Sequence, residues 1–593
     1  MTEDTASPQL LWAEDGSPRS GRFGDVYFSK DDGLSETRAV FLGGCHMPEV
    51  WAGRDHFTVG ELGFGTGLNI IALIDLWRQN RSEDAQLHVF SVEGYPLTRD
   101  EAARALAAWP DVADTAAAIL DQWPTKRPGF HRIDLTQWGV TIDLAIGEVE
   151  WALDNWQGSA DAWFLDGFSP ALNPGMWSED IMARVARLSA PGAHLATFTV
   201  AGAVRRGLSA HGYSVAKMPG HGRKRERLEA RMEGTPPQNT APRIAVIGAG
   251  IAGASAIRAL KSQGLSPVLI EAEQAGAGGS GFPASLVTPR LDAGDAFISG
   301  LYAQCLERAG QLYGAVEGAI LSNGVIHLEH MARDGARFDK IAVQDIWPDQ
   351  AMTRLSADEA SQLLGEPVDK GGLEMKGAFA LSPAKVLAHW LADTPTITAR
   401  ITALNQTSEG WQLLDEAQNV VHTADHVIMA GGWGNAELAP QLHLAPVAGQ
   451  ADWSTGASAH DVRAAAWGGY SVPTADGLLY GATHDRGVTT PLASDEASER
   501  NLQTLAQTLP ERAAALSNST PQRRVAVRAT TPDRLPVCGP LADGLYVLGG
   551  MGSRGFCASP LLAEHLAAII AGTSSPLPRS FVARLSADRF TKS

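Results

Sequence analysis

At 593 residues, the chain is long enough for two or more domains, each with its own core. Its 44% hydrophobic and 19% charged content is that of an ordinary globular protein. A net charge of −18 excludes blanket nucleic-acid binding: an RNA contact would need a local basic patch, and DNA is not expected as a partner. The four cysteines, Cys45, Cys305, Cys538 and Cys557, show no C-x-x-C and no ligand spacing. Reduced thiols in a cytoplasmic protein without a metal site are therefore expected. Met1 to Leu10 is polar and acidic, unlike a secretory leader, and no apolar run is long enough to cross a bilayer. The opening QLLW and DVYF, separated by a turn-rich EDGSPRSGR, predict a hairpin, and Thr37 to Leu42 predicts a helix.

HFTVGELGFGTGLNIIALIDLW then predicts a strand (Phe57 to Leu62), a glycine loop and a helix (Leu68 to Trp77). The loop E-L-G-F-G-T-G, with Gly63, Gly65 and Gly67, resembles the first motif of class I S-adenosylmethionine-dependent methyltransferases. That resemblance implies a Rossmann-like α/β domain with glycines hugging the amino-acid end and ribose of the cofactor. Glu61 would bond around the methionyl ammonium. The alternating QLHVFSVE ends at Glu93, which suits a ribose diol; a generic α/β turn followed by a surface acid is the plainer alternative. VTIDLAIGE ends in Glu148, placed near the adenine.

ADAWFLDGFSP puts Asp166 at a strand's carboxyl end, where open α/β sheets face their ligands. N-methylation needs a neutral amine, and Asp166 is suited to accept its proton; a turn-capping Asp is the alternative. Gly192 to Thr199 predicts a strand, Ala201 to His211 a helix, and Tyr213 to Met218 the start of a terminal hairpin. Residues 221–231 carry five basic and two acidic side chains. Arg223, Lys224 and Arg225, with Arg205 and Arg206, form a candidate RNA-backbone contact or simply a solvated charged hairpin. EGTPPQNTAP (233–242) reads as a linker between a domain over 1–232 and another over 243–593.

RIAVIGAGIAGASAIRALKSQGLSPVLIE supplies strand, G-x-G-x-x-G (Gly248, Gly250, Gly253), helix, second strand and Glu271. The glycines permit a tight turn, backbone approach to a pyrophosphate and close helix packing, while Glu271 meets a ribose hydroxyl. The small-residue stretch AGAGGSGFPASLVTPRL, including Ser280, is suited to a long cofactor lying along backbone. HVIMAGGWGN returns a strand beneath the nucleotide, and Phe297 to Val316 with the β-rich stretch around Val325 predict an inserted α+β substrate subdomain. DGLYVLGGMGSRGFCASP, with Gly549, Gly552 and Gly555, predicts strand, glycine loop and helix, aiming an N-terminus at a flavin edge.

With VRATTPD and the closing G-x-x-R-G, this half resembles the FAD-dependent glycine and D-amino-acid oxidase family. The resemblance implies FAD and a carboxylate clamp made of Arg528 and Arg554; exposed structural arginines are the alternative. Reoxidation by oxygen, rather than by a pyridine nucleotide, is expected. ELGFGTGLN, FLDGFSPALNPGMW, GHGRKRE and GSRGFCASP together resemble the bifunctional enzymes that finish a modified tRNA wobble uridine. Phe282 stands where that family commonly has Asn. The resemblance implies FAD-dependent removal of a carboxymethyl group from 5-carboxymethylaminomethyl-(2-thio)uridine, then S-adenosylmethionine-dependent N-methylation. The partner would be tRNA, and a monomer is expected. The alternative is an amine oxidase fused to a metabolite methyltransferase, with no RNA.

Overall fold

The computed structural model describes residues 9–14, 16–28, 33–222, 224–235, 241–455, 462–516 and 520–590. Two compact units result. One comprises Met1–Ala241 with Ser262–Gly264 and Ala568–Ser580; the other comprises Pro242–Lys261, Leu265–Ala567 and Phe581–Ser593.

The first unit is built on eight strands: β1 (His56–Leu62), β2 (Gln86–Glu93), β3 (Gly129–Leu135), β4 (Val140–Ile146), β5 (Ala160–Leu165), β6 (Ser189–Thr197), β7 (Tyr213–Pro219) and β8 (Glu226–Met232). Their order is β3-β4-β2-β1-β5-β6-β8-β7. The pairs β4–β2, β2–β1, β1–β5 and β5–β6 are parallel, so β1, β2, β4 and β5 end on one edge. These strands are buried nearly throughout, as expected when helices cover both faces. Trp77, Trp156 and Trp163 are fully buried in this unit, and Phe90 stacks on Trp156 at 4.4 Å. Helix α1 (Leu68–Asn80) follows the first glycine loop, and α2 (Gly202–Ala210) precedes the terminal hairpin.

The opening hairpin differs from expectation. Leu10–Trp12 pairs with Pro18–Ser20, inside the segment read as a turn, while Val26 makes only an isolated bridge to Arg19. Gly16 adopts φ 80°, which closes the chain earlier than the spacing of apolar runs implied. Residues 33–42 are helical, with a π-type turn over Arg38–Leu42. Of the linker, residues 236–240 lie outside the described residues.

In the second unit, strand β9 (Ile244–Ile247) leads into helix α3 (Ile251–Ser262). β9 lies between Pro267–Glu271 and His426–Met429 in a six-stranded sheet that is parallel except for the edge strand Val537–Ala542. The inserted subdomain is a mixed ten-stranded sheet with helices such as Ala296–Gly314 and Asp495–Thr508. One of its strands, Gln522–Thr530, pairs with Ala445–Thr455 and sets Arg528 opposite Val447. Helix α4 (Gly555–Ala571) follows the last glycine loop.

Residues 568–580, read from sequence as part of the second domain, cluster with the first unit. Asp143 and Arg132 form a buried bidentate pair, with both bonds at 2.7 Å. Ser574 donates its hydroxyl to Asp143 Oδ2 at 2.8 Å, accepts from Trp156 Nε1 at 2.8 Å, and offers its carbonyl to Arg132 at 3.0 Å. Burial of an ion pair requires its remaining hydrogen-bonding capacity to be met, and this segment meets it.

Candidate functional site

In the first unit the candidate residues converge on the carboxyl edge of the sheet. Gly63, Gly65 and Gly67 all have positive φ, at 94°, 54° and 79°. A Cβ on Gly63 would lie 1.8 Å from the Asp166 carbonyl oxygen, so only glycine lets the loop pass beside the end of β5. Glu93, ending β2, accepts from the amides of Gly65 at 2.7 Å and Tyr95 at 2.8 Å. Burial raises its carboxyl, and those amides oppose the shift. Glu148 caps the start of the helix after β4, with no cap bond from its side chain.

Glu61 is fully buried, accepting from Ser91 Oγ at 2.6 Å and Asn69 Nδ2 at 3.2 Å. Burial pushes its carboxyl up to about 8 despite those bonds. Asp166 accepts from Asn69 Nδ2 at 2.7 Å and is pushed up to about 7, again by burial. Asn69, Ser91 and Thr37 are functional candidates that motif reading missed. For Asn69 the available signal was a polar residue at the second position of a helix whose next five residues, IIALI, are apolar. Aromatic rings rim the same edge: Phe23 stacks on Phe168 at 4.8 Å, and Tyr27 meets Phe168 edge-on at 5.3 Å.

The basic cluster disperses. Lys224 pairs with Glu36 at 2.6 Å and sits 4.3 Å over Phe198, with its charge felt at Asp166. It therefore belongs beside the Asp166 edge rather than to a free basic patch. Arg227 is engaged by Glu229 at 2.6 Å. Arg205, Arg206 and Arg225 are exposed and have no carboxylate partner among the described residues. Arg223 lies outside the described residues.

The second unit holds a cavity of about 770 Å³, lined by Gly248, Gly250, Glu271, Ser280, Gly549, Gly552, Gly555, Arg528 and Arg554 among others. A Cβ on Gly253 would stand 1.7 Å from the Gly248 carbonyl oxygen, which fixes how closely α3 packs over β9. Glu271 accepts from Ala249 N at 2.6 Å, and Ser280 Oγ accepts from Ile251 N at 2.9 Å, so the loop is braced from both sides. Phe282 also lines the cavity, with Arg524 5.9 Å from its ring centroid, and Arg524 bonds the carbonyls of Gly276 and Ala277.

Arg554 donates to Thr288, and burial lowers its guanidinium. Neither Arg554 nor Arg528 meets a carboxylate among the described residues, although both line the cavity. His327, Tyr470 and His484 line it as well, and none was anticipated from sequence. Burial pulls His327 down to about 4, so it is neutral at pH 7. The residues fit the expected groups: a long glycine-walled cavity braced by Glu271 suits FAD, and glycines at positive φ with Glu93 suit S-adenosylmethionine. No helix among the described residues is long and apolar enough to cross a membrane, and no acid, His or Cys group among them could hold a metal.

A Rossmann-like methyl-donor edge and a flavin-type cavity in one chain define a two-activity enzyme, a methyltransferase joined to an oxidoreductase. Residues 110–233 match the S-adenosyl-L-methionine-dependent methyltransferase family, and residues 243–569 match the FAD dependent oxidoreductase family. Among solved structures, iminodiacetate oxidase from Chelativorans sp. BNC1 matches with TM-score 0.50 at 22% identity, covering 58% of this chain and 98% of that one. L-proline dehydrogenase from P. horikoshii also matches with TM-score 0.50, at 16% identity, covering 60% and 99%. These likenesses establish the fold of the second unit.

Full-length relatives are closer. The tRNA 5-methylaminomethyl-2-thiouridine biosynthesis bifunctional protein MnmC of Caulobacter vibrioides is 51% identical, covering 100% of this chain and 98% of that protein. The Maricaulis maris protein of the same name is 41% identical over 98% and 96%. The chain belongs to this MnmC family, with an S-adenosylmethionine-dependent methyltransferase and an FAD-dependent oxidoreductase in one polypeptide.

Proposed function

We propose that this chain carries out two successive steps on a tRNA wobble uridine, removing a carboxymethyl group from its aminomethyl nitrogen and then methylating that nitrogen. The observation that carries this is chemical complementarity: one site offers two guanidiniums without carboxylate partners among the described residues, the other a half-buried carboxylate beside a methyl-donor loop. The full-length relatives are named for 5-methylaminomethyl-2-thiouridine in tRNA, which does not favour an RNA-free oxidase and methyltransferase pair. A tRNA substrate also argues for cytoplasmic action.

FAD, held by Gly248, Gly250, Gly253, Glu271 and Ser280, supplies the electron acceptor for oxidation of the C–H bond beside nitrogen. Arg528 and Arg554 bind the substrate carboxylate and so fix which carbon is presented. Hydrolysis of the resulting C=N bond releases glyoxylate and a primary amine. Neutral His327 adds no positive charge beside the two arginines.

S-adenosylmethionine, held by the Gly63–Gly67 loop with Glu61, Glu93 and Glu148, supplies an electrophilic methyl group. Asp166 accepts the proton that the amine loses, which frees the nitrogen lone pair. Arg205, Arg206, Arg223 and Arg225 contact the RNA backbone, at a cost in affinity as salt rises. The test supplies Asp166→Ala with tRNA bearing the aminomethyl group. We expect methylation to fall about 100-fold or more, as for loss of a general base, while S-adenosylmethionine binding persists. Full activity in that variant would remove Asp166 from the reaction.

A further inference from the structure

Among the described buried polar groups of the first unit, Asn69 is hydrogen-bonded to both Glu61 and Asp166. It is 7% exposed at the start of α1, in a helix whose inner face is otherwise apolar. Its Nδ2 donates to Asp166 Oδ2 at 2.7 Å and to Glu61 Oε1 at 3.2 Å. Its carbonyl Oδ1 accepts from Thr37 Oγ1 at 2.8 Å. The orientation is dictated chemically. A flipped amide would turn its oxygen toward the acids of Asp166 and Glu61, whereas the observed one gives each of them a hydrogen. Asp166 Oδ2 is thus occupied, and Oδ1 has no partner among the described residues.

We propose that Asn69, locked by Thr37, is the positioning residue of methyl transfer: it ties down one oxygen of Asp166, presents the other to the substrate amine, and keeps the carboxyl in its base form. This rests on Asp166 being the amine's proton acceptor.

The electrostatics agree. Burial is what raises Asp166, and the Asn69 bond is the largest influence opposing it. The other charges facing Asp166 are Lys224, which also lowers it, and Glu36, Asp25 and neighbouring Glu61, which are acidic. Lys224 is itself paired with Glu36, so its net help is reduced. Removing the Asn69 donor should therefore move Asp166 upward and take away its base form at neutral pH.

The experiment uses the full chain, tRNA carrying a pre-formed aminomethyl group, and the variants Asn69→Leu, Thr37→Val and Asp166→Ala. Methylation is followed from pH 6 to 9, and S-adenosylmethionine affinity is measured by calorimetry at pH 8.5. In Asn69→Leu, the acidic limb of kcat should move upward by about 1–2 pH units, the worth of a charge-assisted bond. The rate at pH 7 should fall about 5- to 50-fold and largely return at pH 9, with affinity changed by less than about threefold. Thr37→Val should shift the limb the same way by less, and it decides the matter if Asn69→Leu does not fold. An unmoved limb, or a loss that follows S-adenosylmethionine affinity, overturns the proposal. Full activity in Asp166→Ala would instead overturn the underlying assignment of Asp166, so the two failures are distinguishable.

Discussion

Arg528 and Arg554 reach the same cavity from different supports. Arg528 projects from a sheet strand whose neighbour Gly449 leaves room for its guanidinium, since a Cβ there would stand 2.7 Å from Nη1. Arg554 is instead braced by Thr288. Lysine in either place keeps the charge but loses the planar fork. Anaerobic flavin reduction by carboxymethylaminomethyl tRNA should slow about tenfold or more in Arg528→Lys and Arg554→Lys, while methylation of pre-formed aminomethyl tRNA is unchanged. Wild-type reduction in both variants would withdraw the clamp. Glu61 makes a different residue-scale prediction. Its folded pKa, near 8, lies above the ordinary carboxyl value, so the folded protein binds the extra proton. Stability from this group is full below the ordinary value and is lost as pH rises toward 8. The melting temperature of Glu61→Gln relative to wild type should therefore rise between about pH 5 and 8 and then level off. A flat difference would mean that Glu61 titrates normally.

At the scale of elements, each site depends on a strand–glycine–helix unit, and the two units fail differently. Gly63 combines φ 94° with backbone 1.8 Å from where a Cβ would sit, so alanine must push the loop off the end of β5. Gly63→Ala should lower S-adenosylmethionine affinity by more than about tenfold, given the 1–2 kcal/mol cost of a left-handed residue plus the clash, and leave flavin content intact. Gly253→Ala reverses the pattern: its Cβ would drive α3 from β9, and the purified chain should lose flavin but bind S-adenosylmethionine. Calorimetry and the visible absorption of each purified variant check both outcomes. Equal loss of both ligands in either variant would point to general misfolding rather than to local loop geometry.

For the whole molecule, the chain returns late to its first unit through residues 568–580. Ser574 is the joint, because it satisfies Asp143, Trp156 and Arg132 at once. Ser574→Val would remove one of the two hydrogen bonds to Asp143 Oδ2 and leave the Trp156 N–H unmatched in a dry interior, a loss of about 1–3 kcal/mol for the unsatisfied N–H. Methylation should become heat-labile in this variant while flavin content and flavin reduction hold, as measured after graded heating. Unchanged thermal loss of methylation would show that the segment adds no stability.

The sequence by itself determined both nucleotide folds, the strand–glycine–helix turns, the terminal hairpin and the inserted subdomain. Those features are local: a glycine triplet between a strand and a helix constrains its own backbone, and alternating or continuous apolar runs report burial over a few residues. Tertiary structure decided what depended on distant partners. Asn69 stood within a quoted motif, yet its meaning comes from Thr37, Glu61 and Asp166, which fold topology gathers from three segments. Lys224 looked like part of a basic patch until Glu36 and Phe198 were found against it. The return of residues 568–580 was likewise invisible, because hydrogen bonds satisfied hundreds of residues away leave no period in the sequence.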